Sequence, residues 1–189
     1  RAGVTVIEVG VPFSDPLADG PVIQRATERA LAAGTTLGGV LDLLEGLRPE
    51  IRAPFVVFSY ANPILGMGAE RFADRARAAG VDGVLVLDLP IEEADEFRAL
   101  LASRQIDTIL LLSPTTTDER LRKAASLGTG FLYAISRLGV TGVRDRIADG
   151  AEEMVRRIRA VSPLPIALGF GISKPEHVRE VGRWADAAV

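Results

Sequence analysis

The sequence predicts an α/β protein of repeated βα units, and within that class a (β/α)₈ TIM barrel. Seven short runs rich in β-branched and apolar residues alternate with longer segments of helical period. Segment 2–12 also resembles segment 79–90, since both read as a helix end, a glycine, a strand and a loop proline. Such repetition favours a closed barrel over an open doubly wound sheet, although seven strands alone do not distinguish the two.

Each apolar run is short enough to be one buried strand, and each segment between runs is long enough for a helix or two. The predicted strands are 4–11, 54–60, 84–89, 108–112, 131–135, 165–169 and 187–189. The predicted helices are 21–33, 37–47, 69–79, 91–103, 118–127, 150–160 and 174–183. Thr116-x-x-Glu119 and Ser173-x-x-Glu176 are interpreted as capping boxes at two helix starts. Because no linker fits between these elements, we predict a single, partial barrel domain over 1–189.

A complete barrel of this type takes about 250 residues and eight strands. The given chain has 189 residues, its first predicted strand begins near residue 1, and its seventh runs to the last residue. We therefore expect the first strand and the end of the last βα unit to lie outside the given sequence.

Composition restricts the class of ligand. Hydrophobic residues make up 48% and charged residues 25% of the chain, with no apolar run near the roughly 18 residues of a membrane span. The net charge is −3, and acidic and basic residues are interspersed, so no basic stripe is available for nucleic acid. We expect neither membrane nor nucleic-acid binding, and a small molecule as the ligand.

The chain has no cysteine and one histidine, His177. Disulfides, Cys/His zinc sites and nucleophiles that depend on a histidine base are therefore excluded or nearly so, and no metal site is predicted. Acid–base chemistry would fall to carboxylates. His177 is interpreted as a solvated surface residue, and the absence of cysteine suits a cytoplasmic protein.

Glu8 is the one charge in the first apolar run. Because side chains alternate across a strand, Glu8 shares a face with Val4 and Val6. A carboxylate among valines needs a partner, a shifted pKa or a function. The following loop carries Asp15 and Asp19, and we interpret Glu8 and Asp19 as an acid–base pair. The alternative is a structural Glu8 with two turn-forming aspartates; for the aspartates alone that reading is stronger, whereas for Glu8 a functional role is favoured.

A second candidate site follows the sixth strand. Segment 169–173 has a Gly-x-Gly pattern before a helix, which would present free N–H groups and a positive helix end to a phosphate. A tight βα turn is about as consistent with that pattern alone, but loops after late barrel strands often bind phosphate. Segment 139–142, with a glycine at each end, could close over the anion or be a plain surface loop.

Apolar side chains near the strand ends predict a pocket for an aromatic ligand. They are Tyr60, Leu87, Tyr133 and Phe170. Aromatic residues at strand ends more often belong simply to the core, so this alternative stays open.

The motifs together resemble the tryptophan synthase alpha-subunit family. The resemblance is carried by segments 7–24, 60–63, 88–90, 133–142 and 169–173, in order and without large gaps. It implies a (β/α)₈ barrel lyase that cleaves indole-3-glycerol phosphate to indole and glyceraldehyde 3-phosphate, with no metal or cofactor in this subunit. Glu8 matches the family's catalytic glutamate and Asp19 its catalytic aspartate.

The resemblance also assigns binding residues. Tyr133 matches a substrate-site tyrosine, Thr141 a loop threonine that closes toward Asp19, and Gly142 and Gly171 backbone contacts to phosphate. The indole-pocket wall is matched by Tyr60, Leu85, Leu87 and Phe170.

A partner is implied as well, namely a pyridoxal-phosphate-dependent beta subunit in an α₂β₂ heterotetramer of tryptophan biosynthesis. The contact would involve Asp15, Pro16, Asn62 and Pro90. Two alternatives are a non-catalytic barrel subunit that activates a beta partner and another phosphate-binding barrel lyase. The paired carboxylates argue against the first.

Overall fold

The computed structural model describes residues 3–135, 150–169 and 172–189. Its contacts divide the chain into two compact units. The first consists of residues 1–17 and 24–108, and the second of residues 18–23 and 109–189. Each unit is described by itself.

The first unit is built on three parallel strands in the order β1 (Ile7–Gly10), β2 (Phe55–Ser59) and β3 (Val81–Val86). Glu8 pairs with Val56, which pairs with Gly83, so these three residues form one row across the sheet. Neighbours in a parallel ladder point to the same face, and that face alternates along each strand.

Five helices accompany these strands in the described part of the chain, with the first three residues of α1 assigned to the second unit: α1 (Pro21–Ala32), α2 (Leu37–Leu47), α3 (Ala61–Met67), α4 (Ala69–Ala78) and α5 (Asp95–Ser103). Helix α2 begins where the Thr36 side chain accepts a hydrogen bond from the Gly39 N–H at 3.1 Å. Helices α3 and α4 meet at Gly68, whose φ of 90° is a conformation that favours glycine.

The core of the first unit lies on one face of its sheet. Phe55, Val57 and Val84 point into it and meet side chains such as Leu41 and Phe72, which are fully buried. Residues that alternate with them on the strands, Glu8, Val56 and Leu85 among them, are absent from this cluster. The face that carries Glu8 is therefore the one opposite to the helix-packed core.

The second unit repeats the same plan. Its strands β4 (Asp107–Leu112), β5 (Leu132–Ile135), β6 (Ile166–Gly169) and β7 (Ala187–Ala188) are parallel and in sequence order, with the first two residues of β4 assigned to the first unit. Its helices are α6 (Asp118–Leu127), α7 (Ala151–Arg159) and α8 (Pro175–Val181). Leu132, Ile158, Ile166 and Leu168 are fully buried.

All seven predicted strands and all seven predicted helices are present; helices 37–47 and 118–127 have the predicted bounds, and the ends of the other elements are shifted. The third strand is Val81–Val86 rather than 84–89, because residues 87–88 already form a turn. Helix α5 begins at Asp95 rather than 91, since residues 91–93 are also a turn. Helix α3 was not predicted; its Asn62-Pro63 pair lies in the first turn, where a proline costs no helical hydrogen bond.

Both predicted capping boxes are wrong in detail. The N-cap of α6 is Thr117, which accepts from the Arg120 N–H at 3.4 Å, while Thr116 accepts from the Ser113 N–H at 2.9 Å. The N-cap of α8 is Lys174 rather than Ser173.

His177 is not a solvated surface residue as the sequence suggested. Its side chain is 5% exposed, and its Nδ1 accepts a hydrogen bond from the Ser173 N–H at 3.3 Å. The ring thereby holds the turn that leads into α8.

Among the helices described, none alone is long and apolar enough to cross a membrane. Helices α1 and α2 pass a test of length and composition only as a pair, and they are bent by 92°.

Candidate active site

Glu8 lies in the middle of β1, on the sheet face opposite to the core. Its side chain is half-buried among apolar neighbours, and this burial raises the pKa of Glu8 from an ordinary 4.5 to about 7. A carboxyl group with a pKa near neutrality exists in both protonation states under physiological conditions. It is therefore suited to give and to accept a proton.

The face that carries Glu8 has both open space and apolar walls. Gly10 points to this face, and a methyl group added there would meet no atom within 4 Å. Leu85 lies in the same row as Gly10 and is fully buried. Leu87 continues this wall beyond the strand, where its N–H donates to the Ser59 carbonyl at 2.9 Å.

Tyr60 closes the wall at the end of β2. Its ring is 6% exposed and lies against Phe13, with ring centroids 5.1 Å apart and planes inclined by 35°. This geometry is typical of a favourable aromatic pair. The sequence analysis assigned no role to Phe13; its one signal was an aromatic residue within a loop of proline, aspartate and glycine.

The loop after β1 places its two aspartates differently. Asp15 is exposed, and its carboxylate accepts from the Ser14 hydroxyl at 2.5 Å. Asp19 is half-buried and belongs to the second unit, whereas Glu8 belongs to the first. The pairing of Glu8 with Asp19 therefore stays a prediction.

In the second unit, Tyr133 and Gly169 lie close together. Tyr133 is 5% exposed, and a methyl group added at Gly169 would be 2.3 Å from the Tyr133 hydroxyl oxygen. Any side chain at position 169 would therefore displace the Tyr133 ring. Gly169, noted in the sequence as the start of a possible phosphate loop, thus has a packing requirement of its own.

Four predicted binding residues lie outside the described residues. They are Thr141, Gly142, Phe170 and Gly171. The assignments of the phosphate contacts, the closing loop and part of the indole wall stay predictions.

The predicted partner contacts lie at the surface. Asp15, Asn62 and Pro90 are exposed and Pro16 is half-buried. Asn62 and Pro90 border a groove of about 410 Å³, since their neighbours Ala61 and Leu89 line it. The lining of the groove includes the apolar residues Ile64, Leu65, Phe97 and Leu100 and three carboxylates, Glu70, Glu93 and Glu96.

In the part of the chain that the structure covers, no group of three or more His, Cys, Asp or Glu side chains could hold a metal ion. The expected absence of a cofactor and a metal from this subunit nevertheless stays a prediction.

Comparison with known sequences gives the same family that the motifs resemble. The family model described as Tryptophan synthase alpha chain matches residues 1–189. Proteins of that name from Solibacter usitatus and Citrifermentans bemidjiense are 47% and 49% identical to this chain over 189 residues. Each alignment covers 100% of this chain and 71% of the relative.

Solved structures agree with this. A structure of the tryptophan synthase α₂β₂ complex from Pyrococcus furiosus matches with a TM-score of 0.91 and 39% identity, over 97% of this chain and 75% of that one. The tryptophan synthase subunit alpha of Legionella pneumophila matches with a TM-score of 0.87 and 36% identity, over 98% and 69%. These likenesses confirm the predicted fold class, the (β/α)₈ TIM barrel, in a chain shorter than its relatives.

Proposed function

Since the chain belongs to the tryptophan synthase alpha chain family, we propose that it is a carbon–carbon lyase that cleaves indole-3-glycerol phosphate to indole and glyceraldehyde 3-phosphate. The observation that carries the proposal is Glu8, a half-buried carboxyl group on the sheet face opposite to the core, whose pKa is raised by burial to about 7. A barrel subunit that only activated a partner would have no use for this costly group.

The proposed reaction moves two protons through Glu8. The protonated carboxyl group delivers a proton to the ring carbon that bears the glycerol phosphate chain. Asp19 accepts a hydrogen bond from the indole N–H and stabilises the positive charge that the ring then carries. Glu8, now ionised, removes the proton of the adjacent hydroxyl group as that carbon becomes an aldehyde, and the electrons of the broken C–C bond return to the ring. Each proton transfer is typically worth about 10²–10⁴-fold in rate.

The same proposal assigns the binding groups. The indole ring would lie against Tyr60, Leu85, Leu87 and Phe170. Of these, Tyr60 and Leu85 are buried and Leu87 is half-buried. Tyr133 would contact the substrate. Thr141 would close the loop, while the Gly142 and Gly171 N–H groups would bind the phosphate.

A beta subunit is the proposed partner, because a related alpha chain from Pyrococcus furiosus is part of an α₂β₂ complex. In this proposal the pyridoxal phosphate belongs to the beta subunit. The alpha-chain residues that contact the beta subunit are Asp15, Pro16, Asn62 and Pro90. The groove beside Asn62 and Pro90 suits an apolar segment with basic flanks. We further propose a cytoplasmic location, which the absence of cysteine suits.

The test is product analysis with the purified protein and indole-3-glycerol phosphate. We expect about one molecule of glyceraldehyde 3-phosphate for each molecule of indole, since one carbon–carbon bond is broken per turnover. Another sugar phosphate cleaved in preference, or no indole with and without a beta subunit, would refute the proposal.

A further inference from the structure

The peptide unit that joins Tyr60 to Ala61 is held at both of its polar ends. Its N–H, that of Ala61, donates to Oδ1 of Asp88 at 2.7 Å. Its carbonyl, that of Tyr60, accepts from the Ser59 hydroxyl at 2.9 Å, in a buried position. A peptide unit is planar and rigid, so two bonds of this kind fix its orientation.

Asp88 supplies a cap that α3 lacks locally. The N-cap residue of α3 is Tyr60, whose own side chain makes no capping hydrogen bond. Asp88 follows β3, 27 residues further along the chain, and brings a negative charge to the positive end of the helix. The Leu87 N–H bond to the Ser59 carbonyl at 2.9 Å keeps the ends of the two strands together.

The two hydrogen bonds that hold this peptide, from the Ala61 N–H to Asp88 and from the Ser59 hydroxyl to the Tyr60 carbonyl, form a clamp on the backbone that carries the Tyr60 ring. Tyr60 lies at the point where the chain turns from β2 into α3, and its carbonyl carbon is part of the held peptide, so the position of that peptide fixes the backbone from which the Tyr60 side chain leaves. Tyr60 in turn is 6% exposed, and its ring packs against that of Phe13 in a tilted arrangement. A displacement of this peptide carries the Tyr60 Cα with it and shifts the ring relative to Phe13.

We propose that Asp88 is a positioning residue for the aromatic ring of the substrate, acting through Tyr60 without touching the substrate itself. The inference rests on the proposed function, because it takes Tyr60 to be part of the indole wall. Asp88 is exposed, so water can replace it as the acceptor when it is removed. The fold therefore survives its loss, whereas the precise orientation of the Tyr60–Ala61 peptide does not.

The kinetic experiment compares Asp88→Ala, Asp88→Asn and Asp82→Ala. Asp82 is a matched control, since it lies on β3, which Asp88 follows, and its side chain likewise accepts a backbone N–H from an earlier element. That N–H is the one of Phe55 on β2, at 2.9 Å, at the other end of the strands. For Asp88→Ala we expect KM for indole-3-glycerol phosphate to rise roughly five- to tenfold with kcat within about twofold, because preorganisation of the binding wall is lost. Asp88→Asn keeps an acceptor oxygen and should restore KM to within about twofold of the wild type. Asp82→Ala should lower the melting temperature and leave KM unchanged.

A second measurement does not depend on turnover. Hydrogen exchange at the Ala61 amide should accelerate in Asp88→Ala and return toward the wild-type rate in Asp88→Asn; an unchanged rate in Asp88→Ala overturns the clamp even in an inactive protein. If the wild type releases indole and Asp88→Ala has the same KM, the positioning role is refuted and the lyase proposal stands. If the wild type releases no indole but the Ala61 amide responds as expected, the proposed function fails and the clamp remains as a structural device.

Discussion

The carboxyl group of Glu8 opposes folding whenever it is ionised. Its folded pKa of about 7 lies above the ordinary 4.5, so between these values the folded protein holds a proton that the unfolded chain releases. The contribution of Glu8 to stability therefore falls as the pH rises through this window, and the penalty is complete above about pH 7. A group retained at such a cost is expected where its proton is used.

Replacing Glu8 by Gln should remove this penalty. We expect the free energy of unfolding of Glu8→Gln to exceed that of the wild type at pH 8 by about 1–3 kcal/mol, allowing for partial screening by solvent. The difference should shrink toward zero near pH 4.5, the lower end of the window. Urea unfolding at pH 5 and pH 8 measures it, with Glu45→Gln on the exposed face of α2 as a control. A difference that does not vary with pH would contradict the raised pKa.

Gly169 offers a second test at the residue scale. A methyl group there would be 2.3 Å from the Tyr133 hydroxyl oxygen and 2.6 Å from its ring, so Gly169→Ala must displace the tyrosine. We expect kcat/KM to fall at least tenfold, roughly, and stability to fall by about 1–3 kcal/mol, as for overpacking of a core. Gly46→Ala is the control, since an added methyl group there meets nothing within 4 Å. Equal kinetics in the two variants would show that Tyr133 is not at the substrate site.

The shifted pKa of Glu8 was easier to predict from the sequence than the packing around other residues. A lone carboxylate in an apolar strand is visible in the sequence, and so is the expectation that its pKa shifts. The contact between the Phe13 and Tyr60 rings could not be predicted from the sequence, and neither could the burial of His177. Each depends on long-range packing that local periodicity does not encode.

At the scale of elements, both units secure the start of their strands with the same pair of residue types. In the first unit, Asp82 accepts the N–H of Phe55, the first residue of β2, and pairs with Arg48 at 3.3 Å. In the second, Asp186 accepts the N–H of Ile166, the first residue of β6, at 2.8 Å and pairs with Arg159. The arginine lies at the end of the helix that precedes the secured strand, α2 before β2 and α7 before β6. The aspartate lies at the start of the strand that follows, β3 or β7. This is a structural counterpart of the βα repetition.

Arg48 makes the more extensive set of these contacts. Its guanidinium donates to the carbonyls of Ala53 at 3.0 Å, Gly80 at 3.3 Å and Ile51, and lies 4.4 Å from the centre of the Phe55 ring. We expect Arg48→Met to lower the free energy of unfolding by about 2–3 kcal/mol, because carbonyl groups lose charged donors. Urea unfolding measures this against Arg52→Met, which alters an exposed arginine nearby. Equal losses in the two variants would contradict the account.

The elements were largely predictable because hydrophobic period and glycine or proline breaks are local signals. Helix α3 was the exception, since its cap comes from Asp88, 27 residues away, and its first turn contains a proline. The start of β3 was also missed, because Asp82 and Gly83 read as turn residues while the structure uses Asp82 to bind the Phe55 N–H. Long-range hydrogen bonds thus decided the places where local chemistry pointed the other way.

For the whole molecule, repetition of βα units favoured, and the family resemblance implied, the fold class that the related structures confirm. The chain spans 71% of the length of the Solibacter usitatus and Citrifermentans bemidjiense relatives. The prediction of one domain stays open, as does the joining of Glu8 and Asp19 in one site, since these residues belong to different units.

The groove beside Asn62 makes the partner proposal testable. Leu65 lines it and is 66% exposed. Leu65→Asp should weaken binding of a beta subunit at least tenfold, roughly, because it adds a charge to an apolar contact already flanked by glutamates. Leu43→Asp is a matched control, since Leu43 is an exposed leucine on α2 (58%) outside the groove lining. Calorimetric titration of both variants decides it: equal affinities would place the contact elsewhere.

The central claim, that Glu8 transfers the protons of a lyase reaction, is tested most directly by the rate of indole release from indole-3-glycerol phosphate in Glu8→Gln. The amide keeps the shape of the side chain but cannot donate or accept the two protons, so we expect kcat to fall at least 10²-fold, roughly, while the variant remains folded. The Glu45→Gln control should retain the wild-type rate. Indole release by Glu8→Gln within about twofold of the wild type would contradict the account.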